Sequence, residues 1–349
     1  MIVIYNAMMR SESDVRKFIL AHIAEQPRGI AKAAVERFSI SRQAVNRHLA
    51  SLVAEGLILA EGQTRSRQYR LAILGALDQT IPITAGLEED GLWREHVLPL
   101  LKSAPANVRD ICNYGFTEMV NNAKDHSGSP TVSIRAEVTA ASVALGVEDE
   151  GVGIFRKIQT ALQLEDERHA ILELVKGKVT TDPARHTGEG VFFTSRMFDV
   201  FRIVSGRLCL GRGRTPDDFL IEATEPVVGT AIEMVIDYGS DQTTTKVFDR
   251  YATDQDDYAF QRTHVVVSLS QGQGEKLVSR SQAKRIVARL DRFKEVMLDF
   301  KGIDSIGPAF ADEIFRVFGS THPAVHLKVI NASDEVQKMI RRAASAAAG

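Results

Sequence analysis

The chain has 349 residues, 44% hydrophobic and 25% charged, enough for two or three ordinary globular domains. No apolar run approaches the ~20 residues that cross a bilayer, and MIVIYNAMM at the start has neither the length nor the basic leader of a secretory signal. With only Cys112 and Cys209, a disulfide framework and a cysteine-rich zinc site are excluded, and a cytosolic protein is expected.

The net charge of −2 is unevenly spread. Residues 1–75 hold 11 Lys and Arg against 6 Asp and Glu, a surplus of five, so the remainder carries −7. A basic head on an acidic body points to an anionic partner for the head. In that head, Val15, Phe18, Ile19 and Ile23 recur at helical spacing over residues 12–26 until Pro27 and Gly29 break the pattern. A short helix follows in AKAAVERF. Ser41 is a good N-cap for a third helix, RQAVNRHLASLVAEG, ending at Gly56. LILAEGQTRSRQYRLA then reads as two strands around a turn at Gly62 and Gln63. Helix, helix, turn, helix and hairpin make a winged helix-turn-helix over residues 1–75.

The third helix puts Val45, Leu49 and Leu52 inward and Arg42, Gln43, Asn46 and Arg47 outward. Arg, Asn and Gln make the bidentate contacts that read guanine and adenine in the major groove. Arg65 and Arg67 on the wing are placed for phosphate or the minor groove. Duplex DNA is the expected partner; a winged helix used for protein contacts or dimerisation is the alternative.

Residues 76–105 read as a linker with one helix, LWREHVLPLLKS. Residues 106–240 read as mixed α/β, with strands TVSIRAEV, SVALGVED, FRIVSGRLCL, DFLIEATE and TAIEMVID. From about 245 strands and helices alternate with short connections, which implies βαβ units in a partly parallel sheet over residues 245–349.

The segment FTEMVNNAKDHS carries Glu118, Asn122 and His126 four residues apart, stacked along one helical stripe. A core helix would put apolar groups there. Two glycine motifs follow, VEDEGVGIF at a strand end and HTGEGVFFTSRMFD before a helix. Each alone is weak, since Gly151, Gly153, Gly188 and Gly190 are equally suited to plain turns. In this order and spacing, Glu118, Asn122 and His126, then Asp149, Gly151 and Gly153, then Gly188 and Gly190 resemble the GHKL ATPases over roughly residues 100–240. The nearest branch is that of the anti-sigma-factor serine kinases.

The resemblance implies bound ATP and Mg²⁺. Asp149 would accept a hydrogen bond from the adenine amino group, an ionised carboxylate being acceptor-only. Gly151 would let the base approach the backbone, and Gly153 belongs to the same motif. Asn122 would offer an amide oxygen to Mg²⁺, a hard ion that prefers oxygen. Glu118 would polarise the attacking water or hydroxyl. The backbone N–H groups around Gly188 and Gly190 would receive phosphate oxygens. His126 either contacts phosphate or holds the helix end, and Lys124 reads as a solvated charge. Residues 154–187, an insert with its own helical period, read as an ATP lid, with Lys176, Lys178 and Arg185 either meeting the phosphates or lying on the surface. His96 lacks the surroundings of a sensor-kinase acceptor histidine.

The segment EVMLDFKGIDSIGPAFADEIFRVF resembles the STAS-like family, relatives of the anti-anti-sigma factors, of the DUF4325 type. Its acceptor loop reads Ile306-Gly307-Pro308-Ala309 with no hydroxyl, Ser305 being the nearest. A docking role and a generic βαβ dimerisation module are both open. The expected fold class is therefore multidomain α/β: a winged helix-turn-helix, a GHKL α/β sandwich and a STAS-like βαβ domain. The expected function is an ATP-responsive DNA-binding regulator, dimeric as such regulators commonly are, in which Mg·ATP governs STAS-like docking. The alternative is a serine/threonine protein kinase or slow ATPase targeted by its winged helix. A defence or stress ATPase ranks last, with no effector motif visible.

Overall fold

Two separate apolar clusters organise the chain, and each gathers a different set of elements. The computed structural model describes residues 13–63, 66–182, 187–214, 218–252, 260–271 and 275–345. The architecture is mixed α/β, and among the described residues no helix is long and apolar enough to cross a membrane.

The smaller cluster joins helix α1 (residues 13–22), α2 (Ile30–Phe38), α3 (Arg42–Ala54) and the antiparallel hairpin of β1 (Ile58–Glu61) and β2 (Gln68–Leu71). Ile19, Ile23, Ile30, Val45, Leu52 and Ile58 are fully buried in it. Ser41 caps α3, its hydroxyl accepting from the Ala44 N–H at 3.2 Å. The helix stops because Gly56 takes φ +71°, which lets the Leu57 N–H donate back to the Leu52 carbonyl at 2.9 Å. Arg16 on α1 donates to Ser51 at 2.9 Å and pairs with Glu55, fastening the first helix to the end of the third.

The larger cluster spans everything else. Five strands form one antiparallel sheet in the order β3 (Gly75–Pro82), β4 (Thr131–Val138), β5 (Ser142–Asp149), β7 (Asp218–Asp237), β6 (Val200–Arg212). Helices α5 (Ala106–Asn122) and α8 (Gly190–Met197) pack on it, preceded by a helical run of α4 (Glu89–Leu92), Trp93–Val97 and Leu98–Leu101. The stretch read as a linker from residue 76 thus contributes an edge strand. Its sequence hid this because only Leu77 and Ile81 pack inward, while Asp78, Gln79 and Thr80 face solvent. DFLIEATE and TAIEMVID are one strand, β7, with register shifts beside Gly206 where it passes β6.

The carboxyl-terminal part is a three-stranded parallel sheet ordered β10 (His326–Ile330), β9 (Glu295–Asp299), β8 (Arg262–Val266). Its helices are α9 (Thr244–Tyr251) leading in, α10 (Arg280–Val287), α11 (Pro308–Ala311) running on through Asp312–Phe318 into α12 (Gly319–Thr321), and α13 (Asp334–Ser345). Parallel pairing is what the strand–helix alternation requires.

The insert at 154–187 differs from its expected role. Residues 154–176 form two helices, α6 (Ile154–Leu162) and α7 (Glu167–Lys176), and every α7 residue from Ala170 to Lys176 is buried. Helix α7 lies between α8 of the antiparallel unit and β8 of the parallel unit. A helix buried on both sides is shared core, so α7 is packed as a fixed part of the fold rather than as a mobile cover. Of the remaining described residues, Val179, Thr180, Thr181 and Thr187 line the cavity described next; residues 183–186, with Arg185, lie outside the described residues.

Candidate functional site

A single cavity of about 290 Å³ collects most of the motif residues. That is close to the lower end of ordinary small-molecule sites, about 300–1,000 Å³. Helix α5 forms one wall. Turned away from the stripe, Cys112, Phe116 and Val120 are buried in the core, and the polar stripe is left facing the cavity. Glu118, Asn122 and His126 all line it. Beyond Asn122 the helix widens into a π turn, Ala123–Ser127, and ends where Gly128 takes φ +70°.

Asp149, at the end of β5, is only 9% exposed and faces the same space. Its Oδ1 accepts from the Gly151 N–H at 2.8 Å, and Thr230 stands opposite it on β7. Burial pushes its carboxyl pKa above the usual aspartate value, with hydrogen bonds from Gly151 and Thr230 working against that. A carboxylate facing the cavity is an acceptor suited to an N–H donor on a ligand.

The glycines divide by role. Gly153, Gly188 and Gly190 line the cavity. Gly190 opens α8 directly against the stripe, since a Cβ there would lie 2.0 Å from Glu118 Oε2. Gly188 has φ +74° and packs on Val179, whose N–H donates to the Gly188 carbonyl at 3.1 Å. Gly151 is not in the lining. Its missing side chain makes room for the Ser127 carbonyl, 2.1 Å from where a Cβ would stand, so the close approach it permits is to the end of the α5 extension rather than to a base.

Several lining residues had no signal in the sequence. Thr180, Thr181 and Thr187 follow α7 outside any regular element and Thr230 lies on β7, while Val147, Ile158, Leu174 and Ile232 supply an apolar part. Lys157 of α6 also lines the cavity, its ammonium donating to the His126 carbonyl. Burial lowers its pKa, opposed by the carboxylates of Asp125 and Asp182. A lysine four residues past Gly153 was the one findable clue.

The side-chain amide nitrogen of Asn122 is buried without a hydrogen-bond partner. Together with the glycine-lined approach to α8, that orphan donor fits a polar ligand in the cavity. No cluster of three His, Cys, Asp or Glu able to hold a metal occurs among the described residues. An Mg²⁺ here would therefore take the Asn122 amide oxygen and complete its shell from phosphates and water, its usual habit.

Two lysines depart from the roles read for them. Lys124 is half-buried, donating to the Leu87 carbonyl at 2.7 Å rather than standing in solvent. Lys176, 1% exposed, neither meets the cavity nor lies on the surface. Its ammonium pairs with Glu173 at 2.5 Å and donates to the Arg285 and Ala288 carbonyls, both at 2.9 Å, closing the carboxyl end of α10. Lys178 lines a neighbouring cavity of about 450 Å³.

On the small unit, Arg42, Gln43, Asn46, Arg47 and Arg67 are exposed. The first four share the outer face of α3, opposite buried Val45, Leu49 and Leu52. The Arg67 guanidinium lies over the Tyr69 ring, 5.4 Å from its centroid. Arg65 lies outside the described residues. Ser305 is exposed and follows the carboxyl end of β9, whereas Arg289 and Arg292, near the cavity, precede its amino end.

Among known families, the STAS-like domain of unknown function (DUF4325) matches residues 282–337, from α10 into α13. No curated protein matches the chain. The carboxyl-terminal part of the protein thus carries a STAS-like domain.

Proposed function

We propose that this protein is an ATP-responsive DNA-binding regulator, in which a GHKL-type site binds Mg·ATP and a winged helix binds duplex DNA. The observation that carries the nucleotide reading is the convergence on one cavity of Asp149, the orphan amide of Asn122, and Gly188 and Gly190 at the start of α8. In this reading Asp149 accepts from the adenine amino group, and the apolar residues Val147, Ile158 and Ile232 flank the base. Asn122 offers its oxygen to the metal, and the α8 start faces the phosphates. Bound Mg²⁺ would supply charge neutralisation between phosphate oxygens. The exposed Arg42, Gln43, Asn46 and Arg47 face support duplex DNA as the partner of the basic head.

Calorimetry with Mg·ATP and Mg·ADP tests the first half. Wild type gives a saturable heat, and Asp149→Asn binds about 10–100-fold more weakly, the worth of one charge-assisted hydrogen bond. Equal affinity of the two proteins removes the adenine assignment. For the second half, Arg42→Ala with Arg47→Ala is expected to abolish a duplex DNA gel shift at moderate salt, and undiminished retention refutes that role.

Glu118, lining the cavity one turn before Asn122 and against Gly190, favours a second reading as a slow ATPase or protein kinase. Incubation with γ-labelled ATP decides it: label released as phosphate or moved to protein, and lost in Glu118→Ala without loss of binding, makes the protein an enzyme first.

A further inference from the structure

The loop leaving α7 has a backbone that needs an explanation. Gly177 and Lys178 stand in succession at φ +84° and φ +57°. For a lysine this left-handed conformation is unfavourable, and such strain persists only where the surroundings impose it. Here the STAS-like domain and the residues leading into it impose it. The Lys178 carbonyl accepts from Arg289 at 3.1 Å and from Arg292 at 3.3 Å. Its ammonium donates to the Arg292 carbonyl at 3.0 Å and lies 4.8 Å from the Phe293 ring centroid and 5.5 Å from that of Phe260. Phe260 also occupies the place of a Gly177 side chain, 2.6 Å from where its Cβ would be.

The next residues, Val179, Thr180 and Thr181, line the nucleotide cavity. Against the same loop lies a second cavity of about 450 Å³ that contains Lys178, Arg289 and Arg292. The two cavities share Thr180, Thr181, Thr187 and Glu189. Three cations thus face one acidic group, Glu189, in a space adjoining the glycine turn at 188–190. Glu173, the ion partner of Arg289 at 3.2 Å, is already engaged by Lys176. Burial lowers the pKa of both Lys178 and Arg289, and the nearby Arg292 charge lowers both further. An anion in the second cavity relieves that repulsion.

We infer that Lys178, Arg289 and Arg292 form a phosphate subsite of the nucleotide cavity, in which the two arginines of the STAS-like domain meet the terminal phosphate of the bound triphosphate. This rests on the nucleotide reading above and adds the means by which the STAS-like domain distinguishes ATP from ADP. A diphosphate leaves the subsite empty and Lys178 held by the arginines alone. A triphosphate gives the arginines a charged partner and so binds the assembled arrangement more tightly, the differential affinity that any ligand switch requires.

The test is calorimetry on the full chain with Mg·ADP, Mg·ATP and inorganic phosphate, for wild type, Arg292→Gln, and Arg289→Gln with Arg292→Gln. Arg292 is exposed, so the single variant keeps the fold, and circular dichroism checks the double one. Wild type is expected to prefer ATP to ADP by about tenfold or more. The single variant narrows this preference and the double variant removes it, while ADP affinity stays within about twofold. A preference that survives in the double variant, or wild-type affinities that are equal for the two nucleotides, overturns the subsite. Failure of wild type to bind either nucleotide overturns the nucleotide reading itself, and the subsite with it. Binding of inorganic phosphate alone that the variants lose assigns the cations to a free anion and overturns the terminal-phosphate role.

Discussion

At the scale of single residues, two glycines show how the same absent methyl serves different ends. Gly229, at φ +69°, would place a Cβ 1.9 Å from the Asp149 carbonyl oxygen, a backbone atom with nowhere to go. Gly229→Ala is expected to destabilise by at least about 3 kcal/mol, read by urea denaturation. Gly190→Ala meets only the Glu118 side chain, most closely its Oε2, and the carboxylate can swing away. It should fold with a change under about 1 kcal/mol, since alanine suits a helix start better than glycine. Any phosphate release should fall about 100-fold as Glu118 is displaced. Asp149 gives a pH dependence. Burial raises its pKa in the folded protein, so ionised Asp149 costs stability at neutral pH, and that cost disappears as pH falls through the raised value. Nucleotide binding in the proposed reading uses the ionised form, so ADP affinity should weaken on acidification sooner than for an exposed aspartate. The Asp149→Asn profile should be flat over the same range. The charged and amide members of the site were legible in the sequence because their types and spacing carry chemistry. The threonines were not, since hydroxyls alone carry no spacing signal, and a glycine such as Gly151 does not reveal which neighbour needs the space.

At the scale of elements, α7 is the least legible part of the chain. Its sequence, ERHAILELVK, reads as an ordinary amphipathic helix, yet its polar residues Glu173 and Lys176 are buried along with the apolar ones. They pair with each other and with the end of α10, and the Lys176 carbonyl accepts from the Thr263 hydroxyl at 2.6 Å. Periodicity cannot announce a helix whose charged face has a partner 109 residues away. Lys176→Ala should cost about 3–5 kcal/mol, because it leaves Glu173 with less of its compensation and the α10 carbonyls unpaired. Denaturant midpoints measure this. Hydrogen exchange offers a separate check: amides of residues 171–176 should exchange only at global unfolding, where a lid would exchange quickly. The regular elements were easier to read, from the Ser41 cap to the parallel βαβ alternation, because caps and short crossovers act locally. Strand β3 was hidden for the opposite reason, its partner β4 lying some 50 residues on.

At the scale of the whole molecule, two separate cores predict two unfolding events. Scanning calorimetry should resolve a small transition for the unit built on Ile19, Leu49 and Ile58 and a large one for the rest. Mg·ATP at about 100 times its Kd should raise only the large one, by about 2.7 kcal/mol or roughly 5–10 °C. The STAS-like domain and the antiparallel unit should melt together, since Phe260 packs 4.5 Å from Phe192 and 5.3 Å from Phe293 across their junction.

The position of α7 also governs how the chain is made. One side of this helix is covered only by β8 and its neighbours, which emerge from the ribosome later by up to about 120 residues. At about 5–20 residues per second, that side of the helix stays wetted for roughly 6–25 s in every newborn molecule. During that interval the nascent amino-terminal portion is a natural client for holding chaperones. A message that slowed translation before residue 262 would be expected to lower the soluble yield without altering the finished protein.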